Sequence, residues 1–133
     1  MAHIVFLVMD PHSNPLLGKT LADGKYVIES LIGDGGMGTV YLAKQTNIDR
    51  MVAVKFIHSY LVSNPSIRKR FHREVQVMAK LSSPHCVTIF DFGETEDGVL
   101  FLVMEYLEGR SLSQVLLDDG RLSLDIFYDW FAQ

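Results

Sequence analysis

Six residues, Gly33 to Gly38, restrict the possible folds of this 133-residue chain more than any others. They read Gly33-Asp34-Gly35-Gly36-Met37-Gly38, a G-x-G-x-x-G spacing with Gly33, Gly35 and Gly38 at the motif positions. The loop runs straight into Thr39-Val40-Tyr41-Leu42-Ala43-Lys44-Gln45, whose β-branched and aromatic content reads as a strand. A dinucleotide-binding βαβ unit needs a helix at that point, so that architecture is excluded. Tyr26 to Ile32 reads as the strand before the loop, and Met51 to Ile57 as the strand after the turn Thr46-Asn47-Ile48-Asp49-Arg50. Three strands with short connections form an antiparallel meander, with the glycines between the first two.

A helix opens at Asn64-Pro65, since proline suits the first helical position. Ile67, Phe71, Val75, Met78 and Leu81 fall on one apolar stripe, and the helix is expected to end near Ser82-Ser83-Pro84. Cys86 to Phe92 and Val99 to Glu105 read as a hairpin turning at Asp97-Gly98. Ser111 to Leu117 reads as a short helix, and Leu122-Ser123-Leu124 begins another. The length fits one domain. The single cysteine, Cys86, excludes an intramolecular disulfide, fits a reducing compartment, and is expected as a small apolar residue inside a strand. Twelve Lys and Arg against sixteen Asp and Glu give a net charge of -4, which offers no general attraction to nucleic acid. The apolar run Ile4-Val5-Phe6-Leu7-Val8-Met9 is far short of the ~20 residues a spanning helix needs. It either adds an edge strand or precedes a natural start at Met9.

The loop and two charged residues carry the chemistry. Glycines let backbone N–H groups approach a phosphate without a Cβ in the way, and they permit the backbone angles of a tight loop. The same loop also fits an ordinary glycine-rich hairpin turn. Lys55 stands on a strand among Val52, Ala53, Val54, Phe56 and Ile57, where an ammonium calls for a partner. Glu74 is three residues after Phe71 and four before Met78, so helical spacing directs it inward with the apolar stripe, as that partner. A structural ion pair is the plainer reading. Such pairs are often no better for stability than apolar residues of similar size, which favours a catalytic reason.

The loop between two strands, the Val52-Ala53-Val54-Lys55 strand, Glu74 on the helix and Met104-Glu105-Tyr106-Leu107-Glu108-Gly109 together resemble the ATP-binding lobe of a protein kinase. The glycine run and this last segment look most like bacterial serine/threonine kinases of the eukaryotic type. The resemblance covers roughly Gly24 to the C-terminus and implies an α+β fold. Its small lobe (24–107) would be a five-stranded antiparallel sheet with one main helix, after an N-terminal extension (1–23). The hinge and the first helices of a truncated large lobe would occupy 108–133. By the same resemblance, Lys55 holds the α- and β-phosphates of ATP and Glu74 orients it. Ile32, Gly33, Asp34, Gly35, Gly36, Met37 and Gly38 would line the nucleotide, and Val40 and Ala53 would cover the adenine. Met104 would be the gatekeeper, and the backbone of Glu105 and Leu107 would bond the adenine edge.

Three patterns are decoys. Asp91-Phe92-Gly93 spells the kinase magnesium motif, but it closes a strand and follows no H-R-D catalytic loop. Gly18-Lys19-Thr20 resembles the end of a phosphate loop whose first glycine would fall at Ser13. Arg68, Lys69, Arg70, His72 and Arg73 read as a solvated helix face, and surface or packing roles suffice for the five histidines.

The complete enzyme would transfer the γ-phosphate of ATP to protein Ser/Thr hydroxyls with Mg²⁺. The magnesium ligands and the catalytic loop are absent from this sequence, so the chain alone is expected to be inactive, a fragment of a cytoplasmic kinase. A different reading is a non-catalytic kinase-like binding module. It would dock on a partner, or on the missing lobe, through the apolar residues Ile126, Phe127, Tyr128, Trp130 and Phe131.

Overall fold

The computed structural model describes residues 14–109 and 112–120. The expected meander forms as β2 (Tyr26–Asp34), β3 (Gly38–Gln45) and β4 (Arg50–Ile57), and the hairpin as β5 (Ile89–Glu94) and β6 (Leu100–Glu105). A two-residue strand β1 (Thr20–Leu21) precedes them, α1 (Pro65–Met78) lies between β4 and β5, and α2 (Leu112–Asp119) follows β6. The sheet is antiparallel throughout, in the order β1-β2-β3-β4-β6-β5. It therefore has six strands where five were expected. The addition comes from the segment assigned to an N-terminal extension: Thr20 pairs with Val27, and Leu16 and Leu21 pack against the core.

The α+β class stands, and register decides what each face does. Residues directly opposite in adjacent strands share a face, and so do residues two apart. Val40, Lys55 and Leu102 are opposite one another, as are Leu42, Ala53 and Met104. That face meets α1 through Ile57, Val62, Val75, Leu100 and Leu102, with Phe71 and Met104 packed alongside. The other face buries Tyr41, Val52, Val54, Phe56, Phe101 and Val103 with Tyr26 and Ile28. Tyr41 meets Phe56 edge to face at 5.6 Å, a geometry aromatic rings prefer.

The sheet is strongly curled. β2 and β5 stand four strand spacings apart, about 19 Å in a flat sheet. Yet the Tyr26 hydroxyl donates to Asp91 Oδ2 at 2.9 Å, and Lys25 Nζ reaches the same oxygen at 3.2 Å. Asp91-Phe92-Gly93 is thus strand, as expected, and Asp91 ties β5 to the start of β2 across the curl. Gly93 has its own reason: a Cβ there would lie 2.9 Å from the Phe101 ring on the neighbouring strand.

Helix α1 starts as the sequence predicts. Asn64 caps it by accepting from the Ser66 N–H at 2.8 Å, and Pro65 takes the first position. It ends at Met78, a turn earlier than expected, and it is rotated. Val75 is its one buried residue, and Arg68, Phe71 and His72 are partly buried with it, an i, i+3, i+4, i+7 row. Ile67, Met78 and Leu81, from the apolar stripe, are exposed. At 100° per residue, the inward face is displaced by about 70° from that stripe. Arg68 anchors this orientation, donating to Glu94 Oε1 at 2.5 Å and the Gly98 carbonyl at 3.0 Å on the β5–β6 hairpin. The basic cluster is therefore not wholly a solvated face. Cys86 is exposed in a bend before β5, so it is not the strand-interior residue the sequence predicts.

The second helix predicted from Leu122, the apolar cluster Ile126 to Phe131 and the run Ile4 to Met9 lie outside the described residues. Among the described residues, no helix is long and apolar enough to cross a membrane.

Candidate functional site

The glycine loop closes between β2 and β3, where Gly35 N–H donates to the Gly38 carbonyl at 3.1 Å and Thr39 Oγ1 donates to Asp34 Oδ1 at 3.0 Å. None of Gly33, Gly35, Gly36 and Gly38 adopts a left-handed backbone angle, so the expectation that glycine supplies special angles here is corrected. The reason is space. A Cβ on Gly38 would lie 2.1 Å from the Phe56 carbonyl oxygen, so β3 can approach β4 only with glycine at that position. At Gly33 and Gly36 a Cβ would meet nothing within 4 Å. The fold does not require glycine there, and the space above the loop is open. Ile32 and Met37 are exposed beside it.

Val40, Ala53, Lys55 and Met104 share the sheet face that register assigns to α1. Ala53 is buried, while Val40, Lys55 and Met104 are partly buried. Val40 is directly opposite both Gly33 and Lys55, which links the loop to the lysine across three strands. Lys55 makes no ion pair among the described residues. After Glu105 the chain leaves the sheet. The Glu105 N–H is committed to the Thr88 carbonyl at 2.9 Å, so an adenine contact from Glu105 has to use its carbonyl. Leu107 is exposed.

Glu74 departs from expectation. Its side chain is 58% exposed and accepts from Arg70 Nε at 2.7 Å, an i,i+4 pair along the helix surface. It is not aimed at the core and is not paired with Lys55. The rotation of α1 explains this: Glu74 stands about 100° from Val75, the residue that points at the sheet. A groove of about 420 Å³ lies between the loop and the helix, lined by Met37, Ile57, Leu61, Val62, Ile67, Arg70, Phe71 and Glu74.

Two residues near the site carry no motif signal. His58 and Tyr60, just after β4, bond the glycine loop: His58 Nε2 contacts the Gly35 carbonyl at 2.9 Å, and the Tyr60 hydroxyl donates to the Gly36 carbonyl at 2.9 Å. Surface or packing roles were expected for every histidine. Contacts more than twenty residues apart in sequence depend on how the loop folds, and no local pattern encodes them. Gly18-Lys19-Thr20 is turn and strand, with Thr20 in β1, as its rejection as a phosphate loop requires. Among the described residues, no group of three or more His, Cys, Asp or Glu side chains is placed to hold a metal ion.

Comparison with known proteins agrees with this geometry. The protein kinase domain family matches residues 26–133. A serine/threonine-protein kinase, pkn3, of Myxococcus xanthus is 40% identical over 117 residues, covering 84% of this chain and 21% of its own. The serine/threonine-protein kinase PksC of Streptomyces coelicolor is 45% identical over 107 residues, covering 78% of this chain and 19% of its own. The chain thus spans about a fifth of the length of these relatives. The crystal structure of the Mycobacterium tuberculosis PknI kinase domain superposes with a TM-score of 0.74 at 29% identity, over 84% of this chain and 44% of that one. The chain belongs to the protein kinase family, as an amino-terminal lobe similar to those of bacterial serine/threonine kinases.

Proposed function

We propose that this lobe binds ATP between the glycine loop and the sheet face bearing Val40, Ala53, Lys55 and Met104. In the complete enzyme, read as cytoplasmic, the γ-phosphate would pass to protein Ser or Thr hydroxyls. One observation supports this most directly: Gly33 and Gly36 have open space where a Cβ would stand, Val40 stands opposite Gly33, and Lys55 stands opposite Val40 on the next strand. Glycine that the fold itself does not need fits a loop shaped for a bulky anion. Ile32, Asp34, Gly35, Met37 and Gly38 complete the loop around the phosphates, Lys55 supplies the positive charge, and the Glu105 carbonyl and Leu107 backbone meet the adenine edge.

ATP supplies the phosphoryl group. This chain's residues bind and orient it. Magnesium ligands and the residue that orients the substrate hydroxyl are expected elsewhere in the complete enzyme, and this chain alone is proposed to be inactive. Pairing Glu74 with Lys55 requires α1 to turn by about 100°, the angle that separates Glu74 from Val75. That turn would also bring Ile67 and Met78 toward the sheet. In kinases this ion pair must be in place for transfer, so the described arrangement corresponds to a lobe not yet set for it.

Calorimetric titration with ATP tests the site. Replacing a charge-assisted phosphate contact by an apolar side chain in Lys55→Met is expected to weaken ATP about 10- to 100-fold. Equal affinity in a folded Lys55→Met variant refutes the assignment.

A further inference from the structure

Three consecutive carbonyls of the glycine loop are held by one short segment. His58 Nε2 bonds the Gly35 carbonyl at 2.9 Å, the Tyr60 hydroxyl donates to the Gly36 carbonyl at 2.9 Å, and the His58 backbone N–H donates to the Met37 carbonyl at 3.0 Å. A carbonyl only accepts, so His58 Nε2 carries the hydrogen. The two rings stack at 5.4 Å with 16° between their planes, which fixes each against the other. Tyr60 is otherwise 68% exposed, so burial of its ring does not account for its position.

A trans peptide points its N–H opposite to its C=O. Tying the carbonyls of residues 35, 36 and 37 to the segment at 58–60 therefore turns the N–H groups of Gly36, Met37 and Gly38 to the opposite side. Oriented successive N–H groups are what an anion-binding loop consists of. Without side-chain latches, a loop rich in glycine samples many orientations, and a ligand has to order it on binding.

We propose that His58 and Tyr60 are positioning residues of the nucleotide site. They pre-orient the loop's N–H donors toward the phosphates without touching the nucleotide. This rests on the ATP-site reading above and adds to it the segment that sets the loop. The consequence is selective: the latch serves the phosphates and leaves the adenosine part alone.

The test compares ATP with adenosine, titrated into the 133-residue chain, its Tyr60→Phe and His58→Ala variants and the double variant. The double variant is expected to lose about three- to tenfold in ATP affinity, with adenosine affinity unchanged within about twofold. His58→Gln, which retains a side-chain N–H donor, is expected to recover most of the loss. Retained adenosine binding reports that each variant is folded with its pocket intact. If wild type binds both ligands and the double variant keeps the same ATP-to-adenosine ratio, or binds ATP more tightly, the latch assignment falls and the ATP site stands. If folded wild type binds neither ligand, the ATP-site reading falls and takes the latch with it.

Discussion

Replacing Gly38 by alanine probes whether the close approach of β3 to β4 sets the shape of the loop. The new methyl carbon would lie 2.1 Å from the Phe56 carbonyl oxygen, 3.0 Å from its carbon and 3.3 Å from Ile57 Cα. All three obstacles are backbone, so no side chain can swing aside, and the strands must separate by more than about 1 Å to reach ordinary contact. Overpacking of this kind costs about 1–3 kcal/mol. The hydrogen bonds beside it, including His58 N–H to the Met37 carbonyl, add about 0.5–1.5 kcal/mol each if broken. Reduced freedom of the unfolded chain returns about 0.4–1 kcal/mol. The net expectation is a loss of about 2–4 kcal/mol, a large share of the stability of a domain this size. Urea denaturation followed by far-ultraviolet circular dichroism should show the midpoint fall by about 1–2 M. Gly36→Ala is the control, because its methyl meets nothing within 4 Å and its backbone angle is not left-handed. It should stay within about 0.5 kcal/mol of wild type. A Gly38→Ala protein as stable as Gly36→Ala refutes the reasoning.

Asn64→Ala removes the side chain that accepts from the Ser66 N–H and should cost about 1 kcal/mol in urea unfolding; no change would mean that the cap is idle. Burial first, then the hydrogen bond to Asp91, raises the Tyr26 phenol above its ordinary value of 10.0, and Lys25 is raised as well, through its bond to the same carboxylate. Above pH 10.0 the unfolded chain gives up the tyrosine proton while the fold retains it, so stability is complete below that value and declines as pH rises through the folded value. Urea midpoints at about pH 9 and about pH 11 should therefore fall less steeply in Tyr26→Phe than in wild type, and parallel declines would contradict the assignment.

The parts of the fold written in local pattern were legible. Alternation and turn residues placed β2 to β6 within a few positions, and Asn64-Pro65 marked the start of α1. The two-residue strand β1 was not visible, because two residues show no period. The orientation of α1 was also hidden. A stripe of apolar residues records which face can be buried, but here Arg68 binds the hairpin and turns a neighbouring row inward, leaving Ile67, Met78 and Glu74 outside. The candidate site followed the same division. Val40, Ala53, Lys55 and Met104 share a face because strand register is local and regular. Glu74 missed its predicted partner because its direction depends on how the helix docks. His58 and Tyr60 stayed unseen because their hydrogen bonds join distant parts of the chain.

The bond from Tyr26 to Asp91 also orders events in time. It links residues 65 apart, whereas the β2–β3–β4 meander joins neighbours through short turns. Closing a long loop costs more entropy than closing a short one, and local contacts form first. On a ribosome, the meander can assemble while α1 and the hairpin are still being made, and Tyr26 has no carboxylate to meet until Asp91 has left the exit tunnel. Until then the curled sheet is open along β4, whose pairing edge waits for β6. That open edge is the lobe's most exposed moment for pairing with another chain. The arrival of the β5–β6 hairpin ends it by covering β4 and supplying Asp91 in one step.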